Sequence, residues 1–454
     1  MKLSTAFGLL GHSVSFARGT DAHALGTDWD AVFISTVFTY HWREVVRTIR
    51  YYRESGAPVI VGGILASLMP DALAEETECQ VHVGPVRGDA DELANAVCGD
   101  PDLHAVASDI AARGVDALPP DMGLFANCTV PYADMVRHSY VGRTTKGCER
   151  GCAFCAVDRL EPEYVPKIDL ASRVSYVTRR WGARRSLVLL DDNVLQSPLL
   201  GEIIEDIRSC GFGAGARVGR YRRTVDYNQG VDMRLLGDAK LSALAQISLK
   251  PLRLALDSVS EIPRFRRCVA DAVGYGFRNI ACYMLYNYAD RPADLYQRLH
   301  AAIALNEELD CRIYAFPMKF AAWSRIDRKG VGDHWTRRQL RGVQCILNAC
   351  HGIVPKTRGF FERAFGQCVE DFLETIQMPE NYIIGRSDPE LGNPIRGWKR
   401  ALLALDSEHR DKALRLVSGG KSDTPYSDPC EAVAGFLSHY KRERGRSASG
   451  KRGK

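Results

Sequence analysis

No run in the sequence approaches the roughly 18 apolar residues of a membrane-spanning helix. The opening residues Met1-Lys-Leu-Ser-Thr-Ala-Phe-Gly-Leu-Leu10 are faintly leader-like, but the apolar stretch is short and no small-residue cleavage site follows. A membrane helix is excluded and a secretory leader is not expected. Cysteine is sparse for a disulfide scaffold, with 14 in 454 residues. Eleven of these are scattered, often inside apolar runs such as residues 280–285, where a buried free thiol is the usual role. A reducing cytoplasm is the expected compartment. A large excess of either sign of charge is absent too. The formal excess is +5, and much of it sits in the Gly/Ser-rich basic stretch 441–454, which reads as a disordered tail able to touch phosphates. What remains, 46% hydrophobic and 25% charged, describes a soluble globular chain of two or three domains.

The most informative stretch is Lys146-Gly-Cys-Glu-Arg-Gly-Cys-Ala-Phe-Cys-Ala-Val157. It spaces Cys148, Cys152 and Cys155 as CxxxCxxC, close enough for three thiolates to converge on one soft metal centre. Zinc would call for a second CxxC-type pair a dozen or more residues away, and none follows. A four-iron cluster held by three cysteines leaves one iron without a protein ligand. That spacing suggests a reactive centre more than an electron wire.

From residue 140 onward a strand-then-helix pattern repeats about six times. Strands are expected at 140–145, 186–190, 225–231, 252–256, 279–286 and 311–316, each followed by a helix-like stretch. Each strand is apolar in its body and polar at its carboxyl end. Those ends carry Asp191, Asp192 and Asn193, then Gln229, Asp232 and Arg234, then Asp257. Helix capping explains any one of these polar tips. It explains the whole set less well, whereas βα barrels build their active sites at that end.

The cysteine spacing, with Phe154 just before the third cysteine, resembles the radical S-adenosylmethionine (radical SAM) superfamily. The resemblance covers about residues 140–320 and implies a partial (βα)6, TIM-like barrel with the cysteine loop after its first strand. It implies a 4Fe–4S cluster on Cys148, Cys152 and Cys155, with S-adenosylmethionine on the open iron. By the same resemblance, the end of the second strand touches the amino group of the methionine moiety. Here Asp191-Asp192-Asn193 stands where the family often has Gly-Gly-Glu. Gln229, Asp232, Arg234 and Asp257 are then candidates for the ribose hydroxyls or the carboxylate, their individual roles left open. Reductive cleavage would give a 5′-deoxyadenosyl radical that takes a hydrogen atom from a substrate. An external electron donor such as flavodoxin or ferredoxin is implied. The substrate is expected to be a small molecule or peptide rather than nucleic acid.

Residues 1–98 alternate helix-like and strand-like segments, with strands expected at 13–17, 30–36, 58–63 and 81–83. Such alternation gives a small Rossmann-like parallel sheet whose ligands bind at the carboxyl strand ends. The stretch resembles the cobalamin-binding-type domain that precedes many radical SAM cores, through residues 30–36, 59–70 and 81–91. It lacks a DxHxxG motif, and its opening strand is not in the sequence, as a start codon assigned too far downstream or a real truncation would produce. With cobalamin bound, methyl transfer to an unactivated carbon is the expected reaction. Without it, rearrangement, dehydrogenation or cyclisation fits equally. Methylthiolation is disfavoured, because that group brings three further cysteines in its leading domain and only Cys79 and Cys98 precede position 128 here.

Residues 99–139 read as a linker, stiffened by prolines such as Pro119 and Pro120. Residues 321–440 form a helix-rich carboxyl-terminal segment containing Cys345, Cys350, His351 and Cys368, read as core thiols rather than a second cluster. The rival from another class is a non-catalytic iron–sulfur regulator or nucleic-acid binder, which would not need the ring of polar strand ends.

Overall fold

The computed structural model describes residues 1–98, 103, 106–126, 128, 131–386, 388–418 and 428–440. The basic stretch 441–454 and part of 99–139 therefore lie outside the described residues. The chain is a mixed α/β protein whose named sheets, a short hairpin apart, are parallel.

The first sheet has strands β1 (Val32–Thr36), β2 (Val59–Gly63) and β3 (Gln80–Val81) in the order β1-β2-β3. The helices Trp42–Arg53 and Pro70–Thr77 cover it. Its core is small, built around Val46, Ile49, Val59, Val61, Leu65 and Leu73. No strand forms at 13–17, contrary to expectation. Val14 and Phe16 are exposed there, and a strand without a neighbour to complete its hydrogen bonds gains nothing from an extended run.

Six further parallel strands follow. They are β4 (Ser139–Gly142), β5 (Ser186–Leu189), β8 (Thr224–Tyr227), β9 (Leu252–Ala255), β10 (Asn279–Tyr286) and β11 (Arg312–Lys319). They form two sheets, β4-β5-β8 and β9-β10-β11. A parallel bridge from Val225 to Leu249 and the bond from Val231 N–H to the Arg253 carbonyl (2.9 Å) join β8 to β9. Between β5 and β8 the chain makes an antiparallel hairpin of β6 (Arg217–Val218) and β7 (Tyr221–Arg222). The third strand is shorter than expected because Gly230, at φ +90°, turns the chain away after Tyr227. Helices between these strands turn their apolar stripes into the core. Ile262–Gly274, for example, buries Phe265, Cys268, Val269 and Ala272.

One continuous apolar core runs through these strands and the carboxyl-terminal helices as far as Leu437. It also takes in residues assigned elsewhere from sequence. Ala6 of the helix Lys2–Leu9, and Leu93 and Val97 of the helix Ala90–Cys98, belong to it rather than to the small sheet. The stretch 99–139, expected as a linker, is packed where it is described. Val106, Ile110, Val115 and Leu118 are fully buried or nearly so, and burying such apolar side chains outweighs the freedom of an open connection. In the carboxyl-terminal segment Cys345 is buried and the half-buried Cys350 donates to helix carbonyls, as core thiols do, whereas Cys368 is exposed at the start of the helix Val369–Thr375 and is not a core thiol.

Candidate functional site

The cysteine loop leaves β4 at Gly142 and is fixed at its base by one carboxylate. Asp191, 1% exposed at the end of β5, accepts from the Thr144 N–H (2.9 Å) and the Thr145 N–H (2.5 Å). It also accepts from both threonine hydroxyls, at 2.6 and 2.8 Å. Its oxygens are therefore engaged within the protein. Residue 146 then pairs with Val165 through two backbone bonds, closing the loop on itself. Gly147 sits at φ +77°, and a Cβ there would lie 2.7 Å from the Glu163 carbonyl oxygen. Only glycine fits that turn.

A pair of acids stands under Gly147. Its N–H donates to Asp192 Oδ2 (3.1 Å) and to Glu161 Oε2 (3.3 Å). Arg143 grips Glu161 with contacts of 2.6 and 2.5 Å and lies 3.6 Å from Asp192. Burial, together with hydrogen bonding and repulsion from Glu161, pushes Asp192 up to about 7. Glu161 moves the other way, because the Asp192 and Arg143 hydrogen bonds outweigh its burial. Of the two acids, Asp192 is therefore the one that holds a proton more readily. Asp116 ties the loop to the chain's first helix, receiving Lys2 at 2.6 Å and Lys146 at 2.7 Å. Burial works against its charge, but the two ammonium groups hold its carboxyl well below the usual range.

Around the thiols the contacts come from later strand ends. Asn193 (3% exposed) donates its side-chain amide to Cys148 Sγ at 3.5 Å. Gln196 Oε1 accepts from the Glu149 N–H at 3.2 Å. Asn193 Oδ1 and Gln196 Nε2 are buried with no partner among the described residues. Asp232, beyond β8, joins Arg150 of the loop (2.8 Å) to Arg234 (2.7 Å). Arg234 in turn lies against Cys152. Burial raises the Cys155 thiol, and the neighbouring Cys152 and Cys148 raise it further. The Cys155 N–H closes a turn onto the Cys152 carbonyl at 2.8 Å.

Five of the seven polar strand-end candidates thus converge on the loop: Asp191, Asp192, Asn193, Asp232 and Arg234. Two do not. Gln229 is exposed and makes no hydrogen bond among the described residues. Asp257 accepts the Leu285 N–H at 2.7 Å, knitting β9 to β10. Sequence reading missed Arg143, Glu161, Gln196, Arg150 and Asp116. Glu161 carried a signal, being an acid just beyond the third cysteine, and Arg150 lies inside the motif itself.

One flank of the loop is aromatic. Phe154 meets Tyr288 edge-on (5.7 Å), Tyr288 meets Phe320 (4.8 Å), and the Arg159 guanidinium lies 4.0 Å over Trp323. Trp323 is half-buried and Met318 is exposed, whereas Tyr286 is core against Trp335. The helix Ile64–Leu68, at the carboxyl end of β2, packs on the helix Val157–Leu160 just beyond Cys155. The small sheet therefore presents its ligand end toward the cysteine loop.

The donor set fits an iron–sulfur centre in kind. Three free, half-buried thiols share one loop and have an amide donor and a guanidinium beside them. Among the described residues no three His, Cys, Asp or Glu side chains stand in a preformed metal-binding group. Compared with models of known protein families and with curated proteins, the chain matches none.

Proposed function

We propose that this chain is a radical SAM enzyme, built on a partial (βα)6 barrel whose mouth is the cysteine loop. The observation that carries the reading is the collar of strand-end side chains around that loop. Asn193 Oδ1 and Gln196 Nε2, an acceptor and a donor buried beside Cys148 without partners, complement the ammonium and carboxylate of an amino acid. When bound, a 4Fe–4S cluster and S-adenosylmethionine supply a 5′-deoxyadenosyl radical by reductive cleavage of a carbon–sulfur bond. Cys148, Cys152 and Cys155 would hold the cluster. Asp191 and the Asp192–Glu161 pair fix the loop's path, and Arg150–Asp232–Arg234 latches its far side. Gln229 and Asp257 remain candidates for the ribose. The substrate would be a small molecule or peptide, and the electron donor an external flavodoxin or ferredoxin.

Fourteen free cysteines suit a reducing cytoplasm. No helix among the described residues is long and apolar enough to cross a membrane. The test is anaerobic reconstitution with iron and sulfide, then dithionite and S-adenosylmethionine. Release of 5′-deoxyadenosine is expected, and Cys→Ala at each of the three positions should abolish the brown chromophore. An intact cluster that releases no 5′-deoxyadenosine overturns the reading.

A cobalamin-dependent methylation is the second reading, favoured by one observation. Val37, Phe38, Ile64 and Val83 are exposed apolar residues at or just beyond the carboxyl ends of β1–β3, the end that faces the cysteine loop. They suit a broad, largely apolar ligand face. Corrinoid absorption in the visible spectrum of protein purified with added cobalamin would support it, and its absence would leave the cobalamin-free reactions.

A further inference from the structure

The end of the molecule opposite the cysteine loop carries a different chemistry. Because the six strands β4, β5, β8, β9, β10 and β11 run parallel, their amino ends share one face. Every one enters on a basic residue. His138, Arg185 and Arg223 stand immediately before β4, β5 and β8, Lys250 and Arg278 precede β9 and β10, and Arg312 opens β11. Lys250, Arg185, Arg278 and Arg312 are exposed. Among the described residues none of these four is in an ion pair with a carboxylate. Asp134 already pairs with Arg137 (3.6 Å), and Asp310 lends its carbonyl to Arg278.

The β6–β7 hairpin rises from this face. It presents Arg217, Arg220, Tyr221 and Arg222, all exposed, with Arg217 opposite Arg222 in the register. The hairpin is anchored rather than loose. Arg223 donates to the Cys210 carbonyl (2.9 Å) and lies 4.7 Å over Phe212, and the Ala214 N–H reaches the Gln246 carbonyl at 2.8 Å. Tyr221, 48% exposed, sits between two guanidinium groups, Arg220 at 5.1 Å and Arg185 at 5.9 Å from its ring.

We propose that this amino-end face, centred on the β6–β7 hairpin, is a docking surface for single-stranded nucleic acid. Unpaired arginines spread over a face match a phosphodiester backbone, and an accessible ring among them offers a base a stacking partner. A bilayer-binding surface would instead expose Leu, Phe or Trp. The exposed rings on this rim are tyrosines, Tyr221 and Tyr275. The surface lies across the strands from the cysteine loop, an 8-residue strand such as β10 spanning about 26 Å. It is therefore a docking site rather than the reaction centre, and it stands independently of the proposed chemistry.

The test uses the full chain and a fluorescein-labelled single-stranded RNA of mixed sequence, with binding followed by anisotropy across a salt series. The wild type should bind, with an affinity that falls steeply as salt rises. Replacing Arg185, Arg217, Arg220 and Arg222 together by Ala should flatten the log–log salt slope by about 3, at roughly 0.7 for each phosphate no longer neutralised. Tyr221→Ala should weaken binding roughly ten-fold with the slope unchanged, as removal of one stacked base does. Because the basic stretch 441–454 stays in every variant, unchanged binding by the quadruple variant assigns the affinity elsewhere and overturns the proposal. So does absence of binding at low salt, or equally tight arginine-dependent binding to phosphatidylserine vesicles. Unchanged melting temperature of the variants checks that these exposed substitutions leave the fold intact.

Discussion

Asp191 holds the base of the cysteine loop through Thr144 and Thr145, one buried carboxylate taking both backbone N–H groups and both hydroxyls. The contact spans 47 residues of sequence and joins the ends of two adjacent parallel strands. Asp191→Ala would strand four buried donors, each carrying a desolvation penalty. The expected loss is about 3 kcal/mol or more of stability. Iron retained after reconstitution should also fall although no cysteine has changed. Asp191→Asn keeps one acceptor oxygen and should recover part of both. Thermal unfolding and iron analysis of the two variants check this together.

Gly147 gives a second handle on the same loop. A Cβ at φ +77° is strained by itself and would lie 2.7 Å from the Glu163 carbonyl. Gly147→Ala is expected to cost at least about 1–2 kcal/mol from backbone handedness alone. The added contact with backbone raises that figure. Limited proteolysis should cut the variant within residues 143–165 sooner than the wild type. Gly151, whose added Cβ meets nothing within 4 Å, is the matched control.

The architecture was readable where the signal is local. An apolar strand body, a polar tip and an amphipathic helix recur within each repeat, so six strands could be placed from residues alone. What those tips do was not readable. Asp191 looks the same in sequence whether it faces a ligand or the Thr144 N–H, because its partner lies 47 positions away. Arg298 is a sharper case. On a helix-like stretch of the sequence, it is fully buried and braces the Leu256 and Leu285 carbonyls at 3.1 and 2.7 Å while meeting Asp290 at 2.5 Å. The stretch 99–139 shows the opposite case. Its prolines suggested an open path, whereas its apolar residues Val106, Ile110 and Leu118 find a core supplied by distant elements.

The Asp192–Glu161 pair makes stability depend on pH. Asp192 is raised from an ordinary 3.8 to about 7 in the fold. Between those values the folded chain keeps a proton that the unfolded chain releases. This contribution is complete below the unfolded value and is lost as pH rises through about 7. Asp192→Asn cannot ionise and keeps an N–H donor toward Glu161. For metal-free protein, the drop in melting temperature from about pH 5 to about pH 8 should be smaller in the variant than in the wild type, since only the wild type loses the proton. An equal drop would place the proton elsewhere.

The amide of Asn193 supplies the last prediction, which concerns the proposed cluster directly. Its Nδ2 lies 3.5 Å from Cys148 Sγ inside the protein. A hydrogen bond to a ligating sulfur withdraws charge from the centre and favours its reduced form. Asn193→Leu preserves approximate volume and removes the donor. Reconstituted variant should hold as much iron as wild type, yet titrate at a more negative midpoint potential by electron paramagnetic resonance. Asn193→Gln, whose longer side chain displaces the amide, should fall between the two or match the Leu variant. An unchanged potential at full iron content would mean that this amide serves packing alone. Loss of iron would instead show that the amide is needed to hold the loop.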